Sequence, residues 1–371
     1  MKTVKGHRSQ ERDVRFMRRA LELAEKGCGM VSPNPMVGAV VVKGGRVVGE
    51  GYHQRCGGAH AEVEALKSAG AEARGATLYV TMEPCCFQGR TPACTEALLR
   101  AGVRRVVVAM IDPNPRVRGH GVKCLRQQGV TVDVGLLADE ARRLNDAYVT
   151  FMEEHRPFVM LKLATTLDGM IATGSGESQW ITGEKARGEG QRLRLRVDAI
   201  LVGVNTIIKD NPLLTCRINK RKRLLRVVMD SDLRLPVNSR IFTAPDPVLI
   251  FTASASETRR RRLERAGAEV VRVRQERKGR LLWQDVLAEL YRREVLSVLI
   301  EGGATVVSSA LESGIVDKAY FFLAPKVLGP GKSFSAGMRP RSLNGALVLK
   351  DVRYTIFGDD ILTEGYVYRF S

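Results

Sequence analysis

One histidine and a run of cysteines on either side of a short strand constrain this chain more than any other feature. His60-Ala61-Glu62 is followed, after residues 77–82, by Glu83-Pro84-Cys85-Cys86-Phe87 and then Gly89-Arg90-Thr91-Pro92-Ala93-Cys94. One imidazole and two thiolates are the nitrogen and sulfur donors that zinc takes in a tetrahedral arrangement. Three protein ligands leave a fourth position for water, which marks a catalytic zinc and not a structural one. Glu62, two residues past His60, can reach such a water without ligating the metal. Thr91-Pro92 reads as a helix N-cap and first helical position, so Cys94 falls in the first turn, where unpaired amides favour a thiolate.

A His-x-Glu pair with Pro-Cys downstream is the pattern of zinc-dependent nucleobase deaminases. In that chemistry zinc lowers the pKa of a water, and the glutamate carries the proton to the leaving ammonia. A lone histidine would read as a helix cap and lone cysteines as small core residues. All the pieces in this order do not read that way.

A length of 371 residues favours two domains, and 44% hydrophobic residues suffice for ordinary cores. No apolar run approaches membrane-spanning length and the charged N-terminus lacks a signal-peptide pattern, so a cytoplasmic protein is expected. Seven cysteines, an odd number in a long chain, argue against a disulfide framework. The net charge of +19 draws on arginines concentrated in residues 217–226 and 259–280. A solvated arginine-rich surface is the preferred reading, with phosphate-bearing small molecules and nucleic acid as other partners for such charge. No RNA-binding aromatic motif accompanies it.

Residues 1–8 read as disordered and a helix is expected from Ser9, ending at Gly27. Strands are expected over 36–43 and 46–52, a hairpin turned by Gly44-Gly45. His60 then opens a helix, and only at that entry can His60 and Glu62 converge. Strands over 77–82, 104–110 and 130–134 alternate with helices near 92–101, 122–128 and 139–153, which predicts a sheet layered with helices. His155-Arg156-Pro157 is the candidate boundary, with domains over 1–152 and 153–371. Beyond it, strands over 158–163, 199–202, 225–229, 248–251, 270–273 and 298–300 form a mixed sheet, with a helix over 184–196. Strands over 318–323, 346–357 and 361–370 give it an antiparallel end. Glu301-Gly302-Gly303-Ala304-Thr305 is a glycine turn at a helix start, where backbone amides can approach a phosphate.

Laid out in full, the chain resembles the bifunctional deaminase–reductase family of riboflavin biosynthesis, from about Glu11 to the C-terminus. The first half carries Pro33-Asn34-Pro35, His60-Ala61-Glu62, Glu83-Pro84-Cys85, Gly89-Arg90-Thr91-Pro92 and Asp112-Pro113-Asn114-Pro115. The second carries Leu161-Lys162-Leu163-Ala164, Leu167-Asp168-Gly169, Gly176-Glu177-Ser178-Gln179-Trp180-Ile181-Thr182, Asp210-Asn211-Pro212-Leu213-Leu214-Thr215 and Glu301-Gly302-Gly303. The resemblance implies an α/β protein, with an N-terminal cytidine-deaminase-like three-layer α/β/α domain and a C-terminal dihydrofolate-reductase-like α/β domain. It implies hydrolysis of the 2-amino group of 2,5-diamino-6-(ribosylamino)pyrimidin-4-one 5′-phosphate, then NADPH-dependent reduction of the ribosyl group to ribityl. It further implies a phosphorylated pyrimidine as the small-molecule partner, no specific nucleic acid, no membrane, and a homo-oligomer.

Carried over by residue, His60, Cys85 and Cys94 would hold zinc and Glu62 would be catalytic. Cys85 is preferred over Cys86 because it follows Pro84, whereas Cys86 stands at the family's serine position. Asn34, His53 and Arg90 would contact the first substrate. Ala164, Trp180, Thr206, Asp210, Gly303, Ala304, Thr305, Val306, Val307, Ser308 and Ser309 would bind NADPH. Lys162, Ser178, Arg194, Leu214, Arg217 and Glu301 would hold the sugar phosphate, where forked arginine donors suit its oxygens. Cys86-Phe87 replaces the family's usual Ser-His, which bears on one polar contact of the deaminase pocket and not on the metal site. Asn205 stands where a glycine is common. Two other readings compete: a nucleic-acid base deaminase, whose Pro-Cys-x-x-Cys spacing this chain lacks, and an inactive zinc-stabilised binding module, which would want four protein ligands. Neither explains the second half.

Overall fold

The computed structural model describes residues 2–87, 92–276, 279–335 and 342–368, and for residues 2–9 the backbone alone. It divides the chain into two compact units, Met1–His155 and Arg156–Ser371.

In order, the first unit comprises α1 (Lys2–Glu25), β1 (Gly38–Lys43), β2 (Arg46–Tyr52), α2 (Ala61–Ala69), β3 (Thr77–Met82), α3 (Cys94–Arg100), β4 (Arg105–Met110), α4 (His120–Gln127), β5 (Thr131–Val134), α5 (Ala138–Leu144) and α6 (Asp146–Glu154). Its five strands, in the order β2-β1-β3-β4-β5, pair antiparallel from β2 to β3 and parallel from β3 to β5. Period-two alternation sorts the side chains. Val41, Leu78, Val80, Val106 and Val108 join Ala61, Ala65, Leu98 and Leu125 in one buried cluster. On the other face Phe16 of α1 packs on Tyr79, ring centroids 5.3 Å apart. The sheet therefore lies between helices, as expected.

Three local expectations change. Helix α1 begins at Lys2, not Ser9, so residues 2–8 are helical and not disordered. The N-cap of α3 is Ala93 and not Thr91, which lies outside the described residues, and Cys94 opens the helix. The single helix expected over 139–153 is two, because Asn145 turns its amide away. Its Oδ1 accepts from Met36 N at 2.8 Å and its Nδ2 donates to Met36 O at 3.0 Å.

The second unit comprises β6 (Phe158–Thr166), β7 (Met170–Thr173), α7 (Glu184–Arg196), β8 (Ala199–Gly203), α8 (Val204–Asp210), β9 (Leu225–Met229), β10 (Val248–Thr252), α9 (Glu257–Arg265), β11 (Ala268–Arg272), α10 (Trp283–Arg292), β12 (Ser297–Gly302), α11 (Ala304–Ser313), β13 (Lys318–Ala324), β14 (Gly331–Ser333), β15 (Val348–Phe357) and β16 (Asp360–Tyr368). Nine of these strands form one sheet, ordered β11-β10-β9-β8-β12-β6-β13-β16-β15. Pairing is parallel as far as β13 and antiparallel at β16 and β15, the mixed sheet that the sequence predicts. The short strands β7 and β14, absent from the sequence reading, pair as a separate two-stranded ribbon. Arg156 is tied into this unit by two 2.7 Å hydrogen bonds to Asp317.

Candidate functional site

In the first unit, strand β3 ends at Met82 and delivers residues 83–87 beside the entry of α2. His60 is the N-cap of α2 in an extended conformation, and Cys94 is the first residue of α3. These two helix starts and the loop bring His60, Cys85 and Cys94 together, with donor atoms all within 4.8 Å of one another. His60 Nδ1 lies 3.2 Å from Cys94 Sγ and 3.6 Å from Cys85 Sγ. Tetrahedral zinc with bonds of about 2.3 Å to sulfur and about 2.0 Å to nitrogen spaces N and S roughly 3.5 Å apart. The donor set therefore fits zinc in both chemistry and spacing. Cys86 does not join the group.

The Cys94 backbone N–H donates to Cys85 Sγ at 3.4 Å. The Cys94 thiol and His60 also stabilise the Cys85 thiolate and lower its pKa against the opposing effect of burial. The hydrogen bond to Cys85, and then burial, correspondingly raise the pKa of Cys94. Glu62 is 3% exposed, and burial raises its pKa to about 7, with His60 and the Cys94 hydrogen bond opposing. A carboxyl group near neutrality is suited to both taking and giving a proton.

Of the residues expected to contact the first substrate, Asn34 and His53 meet here: Asn34 Nδ2 lies 3.0 Å from His53 Nε2. His53 Nδ1 lies 2.9 Å from Ala59 O, and burial lowers the His53 pKa, so a neutral ring donates from Nδ1 and accepts at Nε2. Its ring stands edge-on to His60 at 5.5 Å. Arg90 lies outside the described residues. Phe87 is exposed.

Glu83, which carries no assigned role in the Glu83-Pro84-Cys85 motif, anchors the ligand loop. Its carboxylate accepts from the backbone N–H groups of Gly119 (2.8 Å), Val122 (3.0 Å) and Asp112 (3.3 Å). Helix α4 closes so tightly on the loop that a Cβ on Gly121 would fall 2.1 Å from Pro84 O.

In the second unit a cleft of about 1140 Å³ is lined by most of the residues expected to bind cofactor and sugar phosphate. Lys162, Ala164, Ser178, Trp180, Arg194, Thr206, Asp210, Leu214, Arg217 and Glu301 all reach it, as do Gly303, Ala304, Thr305, Val306, Val307 and Ser309. Gly303 turns β12 into α11 at φ +83, a backbone state that costs glycine little. Ser308 is the exception. It is buried away from the cleft, and its hydroxyl donates to Phe334 O at 2.8 Å. Ser309 Oγ accepts a hydrogen bond from Trp283 Nε1 at 2.9 Å.

Arg194 spends its fork inside the protein. Its Nε and Nη2 donate to the two Glu301 oxygens and its Nη1 donates to Thr215 O at 2.9 Å. Burial lowers the pKa of the neighbouring Lys162, although Glu301 opposes the shift. Trp180 is 60% exposed, stacked under Arg187 at 4.6 Å, and its carbonyl accepts from Lys326 at 2.8 Å. Arg187, Lys209, Ser231, Arg234 and Lys332 also line this cleft, and none of them belongs to a motif visible in the sequence. Only Asp230-Ser231-Asp232, a polar turn straight after a strand, carried a local signal.

Residues 10–110 match the model of the cytidine and deoxycytidylate deaminase zinc-binding region, and residues 157–363 that of the RibD C-terminal domain. The chain is 42% identical over 355 residues to the riboflavin biosynthesis protein RibD of Aquifex aeolicus, covering 95% of this chain and 98% of that protein. It is 41% identical over 330 residues to RibD of Escherichia coli, covering 85% and 89%. Acinetobacter baumannii RibD superposes with a TM-score of 0.89 at 35% identity, covering 97% of this chain and all of that one. A diaminohydroxyphosphoribosylaminopyrimidine deaminase/5-amino-6-(5-phosphoribosylamino)uracil reductase from Thermotoga maritima superposes at 0.85 with 37% identity, over the same shares. A zinc-deaminase half and a RibD reductase half in one chain, matched nearly end to end, have one explanation: the chain belongs to the RibD family of bifunctional riboflavin biosynthesis proteins.

Proposed function

We propose that residues 1–152 hydrolyse the 2-amino group of 2,5-diamino-6-(ribosylamino)pyrimidin-4-one 5′-phosphate, and that residues 153–371 reduce the ribosyl group of the product to ribityl. The observation that carries the first step is the His60–Cys85–Cys94 group with Glu62 buried beside it. Zinc, when bound, supplies Lewis-acid activation of a water molecule. Glu62 would accept a proton from the attacking water and give it to the leaving nitrogen, a task its near-neutral pKa favours. Asn34, oriented by neutral His53, presents a polar side chain to the pyrimidine, and Arg90 is the proposed partner of its phosphate.

In the second step NADPH, when bound, supplies the hydride. Ala164, Trp180, Thr206, Asp210 and the residues from Gly303 to Ser309 are proposed to hold it, with Ser308 acting through its packing on Phe334. Lys162, Ser178, Leu214 and Arg217 are proposed to hold the sugar phosphate, with the Arg194–Glu301 pair as the fixed wall behind them. In α9, Arg260 pairs with Glu264 and Arg261 with Glu257, so part of this arginine run is held against neighbouring carboxylates at the surface. No helix among the described residues is long and apolar enough to cross a membrane. A cytoplasmic location is proposed from the seven cysteines, two of them committed to the metal group. A homo-oligomer is proposed from the outermost strand β15, which exposes Tyr354 and Ile356. The test is incubation of the purified protein with the diaminopyrimidine phosphate, with and without NADPH. The expected masses are those of the deaminated product alone and of its reduced form; unchanged substrate in both would refute the reading.

A further inference from the structure

Two ammonium groups converge on one glycine at the second unit's cleft. A Cβ placed on Gly176 would lie 2.9 Å from Lys209 Nζ and 3.0 Å from Lys332 Nζ. Lys209 sits in the last turn of α8 and Lys332 in the middle of β14, and both line the cleft. Thr206, Lys209 and Asp210 are spaced three and four residues apart on α8, so they share one face. Asp210 feels the Lys209 charge, but among the described residues no carboxylate forms an ion pair with either lysine.

Like charges in contact repel, and a cation pair with no counter-ion is an arrangement that an anion relieves. The contact with Lys209, and then its charge, holds Lys332 below its ordinary pKa. A phosphate group offers the matching charge and enough acceptor oxygens to serve two ammonium donors at once. Gly176 keeps the space beside the two ammonium groups open, because any side chain there would crowd both.

We propose that Lys209 and Lys332 together form a phosphate-binding subsite beside Gly176 in this cleft. The proposal rests on the reading that the cleft takes NADPH and a sugar phosphate. Both carry the required chemistry, and Thr206 and Asp210 on the same helix face favour the dinucleotide as the source.

The test uses the full chain and the double variant Lys209→Ala/Lys332→Ala. The Kd for NADPH is measured by titration, and the KM for the phosphorylated ribosyl substrate by the reduction rate. Loss of two charge-assisted hydrogen bonds should raise one of these constants by roughly tenfold to a hundredfold. A rise confined to NADPH assigns the subsite to a dinucleotide phosphate; a rise confined to the sugar phosphate assigns it to the substrate. Lys209→Arg/Lys332→Arg should keep both constants near the parent's, and added salt should weaken binding more in the parent than in the alanine double variant. Unchanged constants in the alanine variant, equal loss in the arginine variant, or equal salt dependence would each overturn the subsite. A parent chain that binds no NADPH and reduces nothing would instead overturn the reading of the cleft, and the subsite with it.

Discussion

Arg194 grips Glu301 through two hydrogen bonds of 2.7 Å, one to each carboxylate oxygen, at the side of the second unit's cleft. Burial pushes the Glu301 pKa up, but Arg194, then Lys162 and Arg217, hold it below its ordinary value of 4.5. A depressed carboxylate stabilises the fold above its unfolded pKa, and that contribution is lost as pH falls through the folded value. Arg194→Ala leaves the carboxylate buried against fewer cations, which should cost about 3–5 kcal/mol at neutral pH. The gap between parent and variant should narrow below pH 4.5, where Glu301 takes up a proton. Urea unfolding of the second unit across pH checks this, and a gap independent of pH would contradict it.

Glu62→Gln keeps the shape of the side chain and removes its ability to carry a proton. Ammonia release should fall by roughly 10²–10⁴-fold while zinc content stays at the parent level. Parental turnover by the variant would show that another group moves the proton.

The adjacent thiols should separate cleanly in a metal analysis. Cys85 stands with His60 and Cys94, whereas Cys86 lies outside the donor group and burial raises its pKa. Cys85→Ser should lose zinc and deamination together; Cys86→Ser should keep both. Retained zinc in the first with loss in the second would reverse the assignment.

Glu83 predicts a subtler effect. Removing its carboxylate leaves the buried N–H groups of Asp112, Gly119 and Val122 short of an acceptor, at about 1–3 kcal/mol for each that finds no water. Glu83→Ala should destabilise the first unit and speed zinc release, and Glu83→Gln, which keeps one acceptor oxygen, should recover part of both. A structural role remote from the ligands would lower the unfolding midpoint without changing the rate of metal release to a chelator.

What the sequence made legible was local. His60 and Glu62 share one helix entry, and Cys85 and Cys94 are close in the chain, so their spacing alone implied a metal group. Alternation of apolar residues placed the strands, because a one-residue slip would expose a whole face. The misses lie where a distant partner decides. Asn145 breaks its helix for Met36, Ser308 turns to Phe334, and Lys209 meets Lys332 only after the chain has crossed several strands. Strands β7 and β14 escaped because a ribbon of four and three residues leaves too short a pattern to read.

The central claim is that one chain carries two separable chemistries, and zinc removal tests it most directly. The protein is stripped with a chelator and given, in parallel, the diaminopyrimidine phosphate and the already deaminated ribosyl product with NADPH. Ammonia release should disappear and return on adding zinc, while NADPH oxidation on the deaminated product continues at the parental rate. Loss of both activities on chelation, with the second unit still folded, would contradict two independent sites.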